Sequence, residues 1–333
     1  MGIYVDYAIA VDIGATNLRV GLVTRKGEVL HLIKDSTPKT CDPNAIPLKI
    51  SKMINEILKR ANITLENVLG IGVGSIGPLN IREGVIVNPP NLPNVKNIPV
   101  KQVLEDIFKV RVIVVNDCVA AVWGEKNYGA GKDYENLVYI TISTGIGAGV
   151  IVDGNLLLGK DGNAHEVGHI VIRYDDGIKC GCGAIGHWEA YASGANIPKL
   201  VKLLLDRWNI SRSETKLYEL IERNLLTAEA LFNLAKASDD IALRIIDELG
   251  KINAAGIASV INVYDPELVT LGGAVILNNP EELTIKPMLK YLDNYVLNRL
   301  PRVMITPLGH EVTLLGAAAL IFNTPKSLSK YIQ

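Results

Sequence analysis

Two stretches of this chain repeat one pattern: an apolar run, a turn of glycine with hydroxyl or amide residues, and a second apolar run. Residues 7–11 lead into Asp12-Ile13-Gly14-Ala15-Thr16-Asn17 and resume as Leu18 to Val23, while residues 137–143 lead into Thr144-Gly145-Ile146-Gly147-Ala148-Gly149 and resume as Val150 to Val152. No helix follows the glycines at once, which disfavours a dinucleotide-binding turn, where strand, glycines and helix are contiguous. Two such hairpins in two halves predict duplicated α/β domains that clamp one polyphosphate. In the first turn Gly14 permits tight geometry, and Thr16 and Asn17 add donors beside exposed backbone N–H groups, as a phosphate cradle requires. Asp12, at a strand end, would hold Mg²⁺ through water. The same residues also suit a plain hairpin turn, for which Asp and Asn are favoured, and both readings stand.

At 333 residues the chain exceeds the usual single domain, so two domains with a cleft are expected. A formal charge of -1, with Lys and Arg scattered, argues against a nucleic-acid binder. Four cysteines and no N-terminal apolar signal point to a reducing cytoplasm. Apolar runs such as Val112 to Val115 are strand-length and far below the roughly 20 residues of a membrane span.

The densest chemistry lies between Asn163 and Glu189, which holds three of the five His (His165, His169, His187) and two of the four Cys (Cys180, Cys182). Cys-x-Cys, a His five residues later and His169 eleven residues upstream supply four ligands within one short stretch, a set suited to tetrahedral Zn²⁺. Glycines 181, 183 and 186 let the backbone turn between them. The competing readings are two reduced thiols in a glycine-rich turn, or a strained Cys180–Cys182 disulfide.

Elsewhere, apolar spacing predicts helices over residues 46–60, 100–108, 118–128, 197–208, 215–223, 227–237, 239–263 and 314–323. Strands are expected at residues 29–34, 68–73, 110–115, 268–271 and 303–307. The strand at 110–115 stops at Asn116-Asp117 before a helix, placing both side chains at a strand's carboxyl end, where α/β sheets bind ligands. Asp117 is the leading general-base candidate; an N-cap role is equally available to it and compatible, since capping uses one oxygen. Loops 74–80 and 87–93, rich in Gly, Asn and Pro, suit either polyhydroxy-ligand binding or ordinary turns. Gly272-Gly273-Ala274 would flank an adenine or ribose, or simply pack closely.

These residues resemble the ROK sugar kinases and repressors, and the match runs essentially end to end. Asp12 to Asn17 is similar to the family's first phosphate motif, Ser143 to Gly147 to the second, and Leu271-Gly272-Gly273 to the adenosine motif. His169 with Cys180-x-Cys182-Gly183-x-x-Gly186-x-x-Glu189 resembles its signature. Within the family the likeness is to archaeal ATP-dependent hexokinases of broad sugar specificity. The resemblance implies an α/β, two-domain actin/hexokinase-like (ribonuclease H-like) kinase fold with an interdomain cleft. The expected division is residues 1–116 plus 313–333 as a small domain, and 117–312 as a large one.

The resemblance further implies ATP-dependent phosphorylation of glucose and related hexoses at the 6-hydroxyl, with Mg²⁺ as catalytic ion and Zn²⁺ as structural ion. Gly77, Asn116, Asp117, Glu166, His169 and Glu189 would contact the sugar, Asp117 as base. Asp12, Gly14, Thr16, Asn17, Thr144, Gly145, Gly272 and Gly273 would bind the nucleotide. Zinc would sit on His169, Cys180, Cys182 and a third Cys, a position this chain fills with His187. Ala15 likewise stands where the family usually has Gly. A cytoplasmic homodimer or homotetramer is expected. A repressor needs a helix-turn-helix ahead of the kinase fold, and Asp12 follows Met1 too closely for one. Fructokinase, N-acylhexosamine kinase and a non-catalytic sugar sensor are the alternatives.

Overall fold

The computed structural model describes residues 6–175 and 177–331. In chain order its strands and helices are β1 (Tyr7–Ile13), β2 (Asn17–Thr24), β3 (Val29–Ser36), α1 (Ala45–Ala61), β4 (Val68–Ser75), β5 (Leu79–Asn80), β6 (Val85–Ile86), α2 (Val100–Phe108), β7 (Val112–Asn116) and α3 (Asp117–Tyr128). Then come β8 (Leu137–Ile142), β9 (Ile146–Val152), β10 (Asn155–Leu156), α4 (Trp188–Ala192), α5 (Ile197–Arg207), α6 (Leu217–Glu222), α7 (Ala228–Lys236) and α8 (Asp240–Tyr264). The last are β11 (Leu268–Gly272), α9 (Ala274–Leu277), α10 (Ile285–Leu292), β12 (Arg302–Ile305) and α11 (Val312–Phe322).

Contacts divide the chain into two units: Met1–Tyr139 with Gly149–His165 and His310–Gln333, and Ile140–Ala148 with Glu166–Gly309. The boundary expected from the sequence, between Asn116 and Asp117, differs from this division, because α3 packs on α11 and β4. The first unit is built on the sheet β3-β2-β1-β4-β7. Strands β1 to β3 form an antiparallel meander, and β4 and β7 join β1 in parallel. Ile71 and Val73 of β4 join an apolar core with Ile50 and Ile54 of α1 and Leu104 of α2. The alternate residues Gly70, Gly72 and Gly74 leave the other face bare, and α11 settles there. A Cβ at Gly72 would lie 1.8 Å from the Ala317 carbonyl oxygen, and one at Gly316 1.7 Å from that of Ala120.

The other five-stranded sheet, β10-β9-β8-β11-β12, repeats the first sheet's order: three strands consecutive in sequence, then two later ones. The division between the units passes within β8 and β9. The predicted duplication therefore appears as topology. In the second unit the 25-residue α8 contacts α4, α7 and α10. Trp188, fully buried, donates its indole N–H to Asn253 of α8 at 2.9 Å, and Gly256 lets that helix lie against the ring.

Two expectations need correcting. Strand β9 begins at Ile146, inside the stretch assigned to the glycine turn. Helices α4, α9 and α10 and the two-residue strands β5 and β6 went unforeseen: α4 is five residues long, α9 four, and α10 follows a proline-broken stretch with only eight residues.

Candidate functional site

The sequence-predicted site residues fall into two sets, one in each unit. In the first unit, parallel register pairs Asp12 with Gly74, and Ser75 with both Ile13 and Asn116. The ends of β1, β4 and β7 thus carry Gly14 to Asn17, Ile76-Gly77 and Asn116-Asp117 on one sheet edge. The first turn is closed by Gly14 N–H donating to Asn17 O at 2.9 Å. Thr37 braces it, its N–H donating to Thr16 O at 2.9 Å and its hydroxyl to Gly14 O at 2.7 Å. Thr16 and Asn17 are exposed. Ala15 is not among the described residues with positive φ, so its methyl is accommodated there without backbone strain.

Asp12 lies within β1 rather than beyond it, buried, with Oδ2 bound by the guanidinium of Arg19. Burial pushes its carboxyl up, and Arg19 opposes that. Arg19 also donates to the His310 carbonyl. Sequence reading missed this partner, although a signal existed: residues 12 and 19 are equidistant from the turn and so pair across the hairpin.

At the end of β7 the N-cap of α3 is Asn116, not Asp117. Its side chain accepts from Cys118 N–H at 2.9 Å, and Asp117 Oδ1 shares that donor at 2.8 Å. Asp117 is half-buried. Asn116 Nδ2 lies 3.7 Å from where a Cβ at Gly77 would stand.

In the second unit, residues 178–186 form a tight knuckle. Cys180 N–H donates to Ala184 O at 2.8 Å, Gly183 N–H to Cys180 O at 3.0 Å and Gly186 N–H to Ile178 O at 3.2 Å. Gly186 has φ +80°, and a Cβ there would lie 1.5 Å from Arg173 O, so no other residue fits. Val171 and His187 pair across a bridge, which sets His187 beside His169. All four cysteines are free, which removes the disulfide reading.

His169, Cys180, Cys182 and His187 bring their ligand atoms within 4.8 Å of one another. The two Nδ1 atoms are 3.1 Å apart, Cys182 Sγ is 3.3 Å from His187 Nδ1, and Cys180 Sγ is 3.9 Å from His169 Nδ1. Tetrahedral zinc, with bonds of about 2.0–2.3 Å, places its ligand atoms about 3.3–3.8 Å apart. The three spacings above lie within a few tenths of an ångström of that range and the widest pair is no more than 4.8 Å apart, so the donor set suits zinc after a small side-chain contraction. Burial, then the neighbouring Cys182 and Glu189, pushes the Cys180 thiol up to about 11. A bound cation reverses that, since a coordinating thiol is deprotonated. Burial and the nearby His169 hold His187 below its ordinary value, which favours the neutral, ligating imidazole.

His169 turns its other nitrogen, Nε2, toward Glu166 Oε2 at 3.7 Å. Glu189 connects the knuckle to the second glycine turn: Oε2 accepts Ile146 N–H at 2.9 Å, and Oε1 lies 3.8 Å from Cys180 Sγ. Gly194 and Ala195 brace the same turn through the carbonyls of Ser143 and Thr144. At Gly273 (φ +88°) a Cβ would lie 2.5 Å from both Ile142 O and Thr141 Oγ1, so close packing by itself already requires glycine at that position.

The model of the ROK family matches residues 8–324. A glucokinase from Pyrobaculum calidifontis is 36% identical over 324 residues, covering 97% of either chain. One from Aeropyrum pernix is 38% identical over 326 residues, covering 96% of this chain and 98% of its own. The crystal structure of a ROK family glucokinase from Streptomyces griseus in complex with glucose and AMPPNP superposes with a TM-score of 0.76 at 29% identity, covering 94% of this chain and 98% of that one.

Proposed function

The chain belongs to the ROK family, and from that premise we propose that it is an ATP-dependent kinase of glucose and related hexoses, acting on the 6-hydroxyl. The observation that carries this reading is the carboxylate of Asp117 at the carboxyl end of β7, one oxygen held by the Cys118 N–H and flanked by Asn116. The full-length likeness to glucokinases supplies the substrate class.

Phosphoryl transfer asks the protein for positioning, charge neutralisation and a base. Asp117 accepts the proton of the 6-hydroxyl as its oxygen bonds to the γ-phosphorus of ATP, and the bond from that phosphorus to the bridging oxygen breaks to release ADP. Gly77, Asn116, Glu166, His169 and Glu189 hold the sugar. Gly14, Thr16, Asn17, Thr144 and Gly145 contact the phosphates of MgATP, and Gly272 and Gly273 flank its adenosine. Asp12, whose pairing with Arg19 opposes the effect of burial on its carboxyl, would be the residue that holds the nucleotide's Mg²⁺, an ion that would neutralise phosphate charge. His169, Cys180, Cys182 and His187 would hold zinc, which fixes the tautomer and orientation of His169. With Nδ1 directed to the metal ligands, Nε2 of His169 is left to donate to Glu166 or a sugar hydroxyl. A cytoplasmic homo-oligomer belongs to the same reading, supported by exposed apolar side chains such as Val263 and Leu297.

The test is a coupled ADP-release assay with MgATP on glucose, mannose, glucosamine, N-acetylglucosamine and fructose. Turnover on several glucose-like sugars is expected. Turnover on fructose or N-acetylglucosamine alone would substitute a narrower kinase, and none on any, with sugar still bound, would favour a sensor.

A further inference from the structure

Two loops of the first unit, each adjoining a residue assigned above to the sugar, meet one tyrosine near the end of the described chain. The hairpin β5–β6 follows Gly77 and turns at Ile81 and Arg82, while residues 157–165 run directly into Glu166. Tyr331 is 4% exposed, and its hydroxyl donates to Gly159 O at 2.6 Å. The Arg82 guanidinium lies 5.2 Å from the centre of the Tyr331 ring and donates to Lys330 O at 3.2 Å. A Cβ at Gly162 would be 3.4 Å from the Ile81 side chain, so the two loops touch. Within the second loop, His165 Nε2 lies 3.0 Å from Gly162 O, and Ala164 N–H donates to Leu158 O at 3.2 Å. Fully buried Leu328 anchors the turn that presents Tyr331.

We propose that Tyr331 is a positioning residue for sugar binding, pinning loop 157–165 and hairpin 79–86 in their sugar-competent form; this rests on the hexose-kinase reading. The loop contains Gly159 and Gly162 and is costly to order. A sugar that met it unpinned would spend binding energy on ordering it. One buried hydroxyl on Gly159 and one ring beneath Arg82 do that ordering in advance. The effect falls on sugar affinity, since the residues next to these loops are the sugar contacts Gly77 and Glu166, not the base Asp117.

The experiment uses the full chain and its Tyr331→Phe and Tyr331→Ala variants, measuring kinase kinetics and calorimetric glucose binding without ATP. Tyr331→Phe keeps the ring and loses the hydroxyl. It should raise both glucose KM and glucose Kd roughly 3- to 10-fold, with kcat, ATP KM and melting temperature unchanged. Tyr331→Ala should raise them further, with phenylalanine giving partial rescue. An active wild type whose Tyr331→Phe variant binds glucose normally overturns the positioning role alone, as does a variant in which kcat, both KM values and melting temperature worsen together. A wild type that neither binds nor phosphorylates any hexose overturns the kinase reading and this proposal with it.

Discussion

At the scale of single residues, the proposed chemistry separates a base from its supports. Asp117→Ala leaves Asn116 to cap α3, since both side chains share one N–H, so the helix start survives the change. Its turnover should fall roughly 10²- to 10⁴-fold with glucose binding nearly intact, and a coupled assay beside calorimetry checks both. Glu166→Gln and Glu189→Gln should instead raise glucose KM, roughly 10- to 100-fold if each carboxylate accepts a sugar hydroxyl, while ATP KM stays put. Glu189 carries a second burden through its bond to Ile146 N–H, so its variant should also cost some turnover, whereas the Glu166 variant should not. Asp12 shows what residue type alone leaves unsaid. Its carboxylate was legible as a candidate, but its burial and the pairing with Arg19 depend on hairpin register.

At the scale of elements, the knuckle at residues 178–186 is the clearest dependence of a site on backbone form. Its hydrogen bonds run between residues close in sequence, so the Cys-x-Cys and glycine spacing was enough to suggest it. Gly186→Ala would force a methyl into the Arg173 carbonyl at a positive φ, displacing His187 from His169. Metal analysis should find about one zinc per chain in the untagged protein and little in this variant, because a zinc site needs all its ligands in register. Equal zinc in both would remove the four-ligand assignment. The link from this knuckle to the second glycine turn was invisible in sequence. It rests on Glu189 reaching Ile146 across 43 residues, and nothing local to either position announces it.

At the scale of the whole molecule, pH acts on stability through pairs such as Asp247 of α8 with Lys290 and Tyr291 of α10. Burial pushes the Asp247 carboxyl up, but hydrogen bonds from Lys290 and Tyr291 outweigh it and hold the group below its ordinary range. A depressed carboxyl stabilises above its unfolded value of about 3.9 and loses that contribution as pH falls through the lower folded value. Asp247→Asn should therefore cost up to about 1 kcal/mol at pH 7, solvent screening the pair. The gap from wild type should close as pH drops below about 4, read from urea midpoints across pH. By itself the sequence determined most strands, most helices, the doubled hairpin and the donor-rich stretch, because periodicity and turn chemistry are local. Only the tertiary structure decided which glycines carry helix α11 against the sheet, that α3 belongs with the first unit, that Asp12 is paired by Arg19, and that Tyr331 joins two loops. Each of these depends on backbones or side chains distant in sequence approaching within a few ångströms, and local patterns hold no record of that approach.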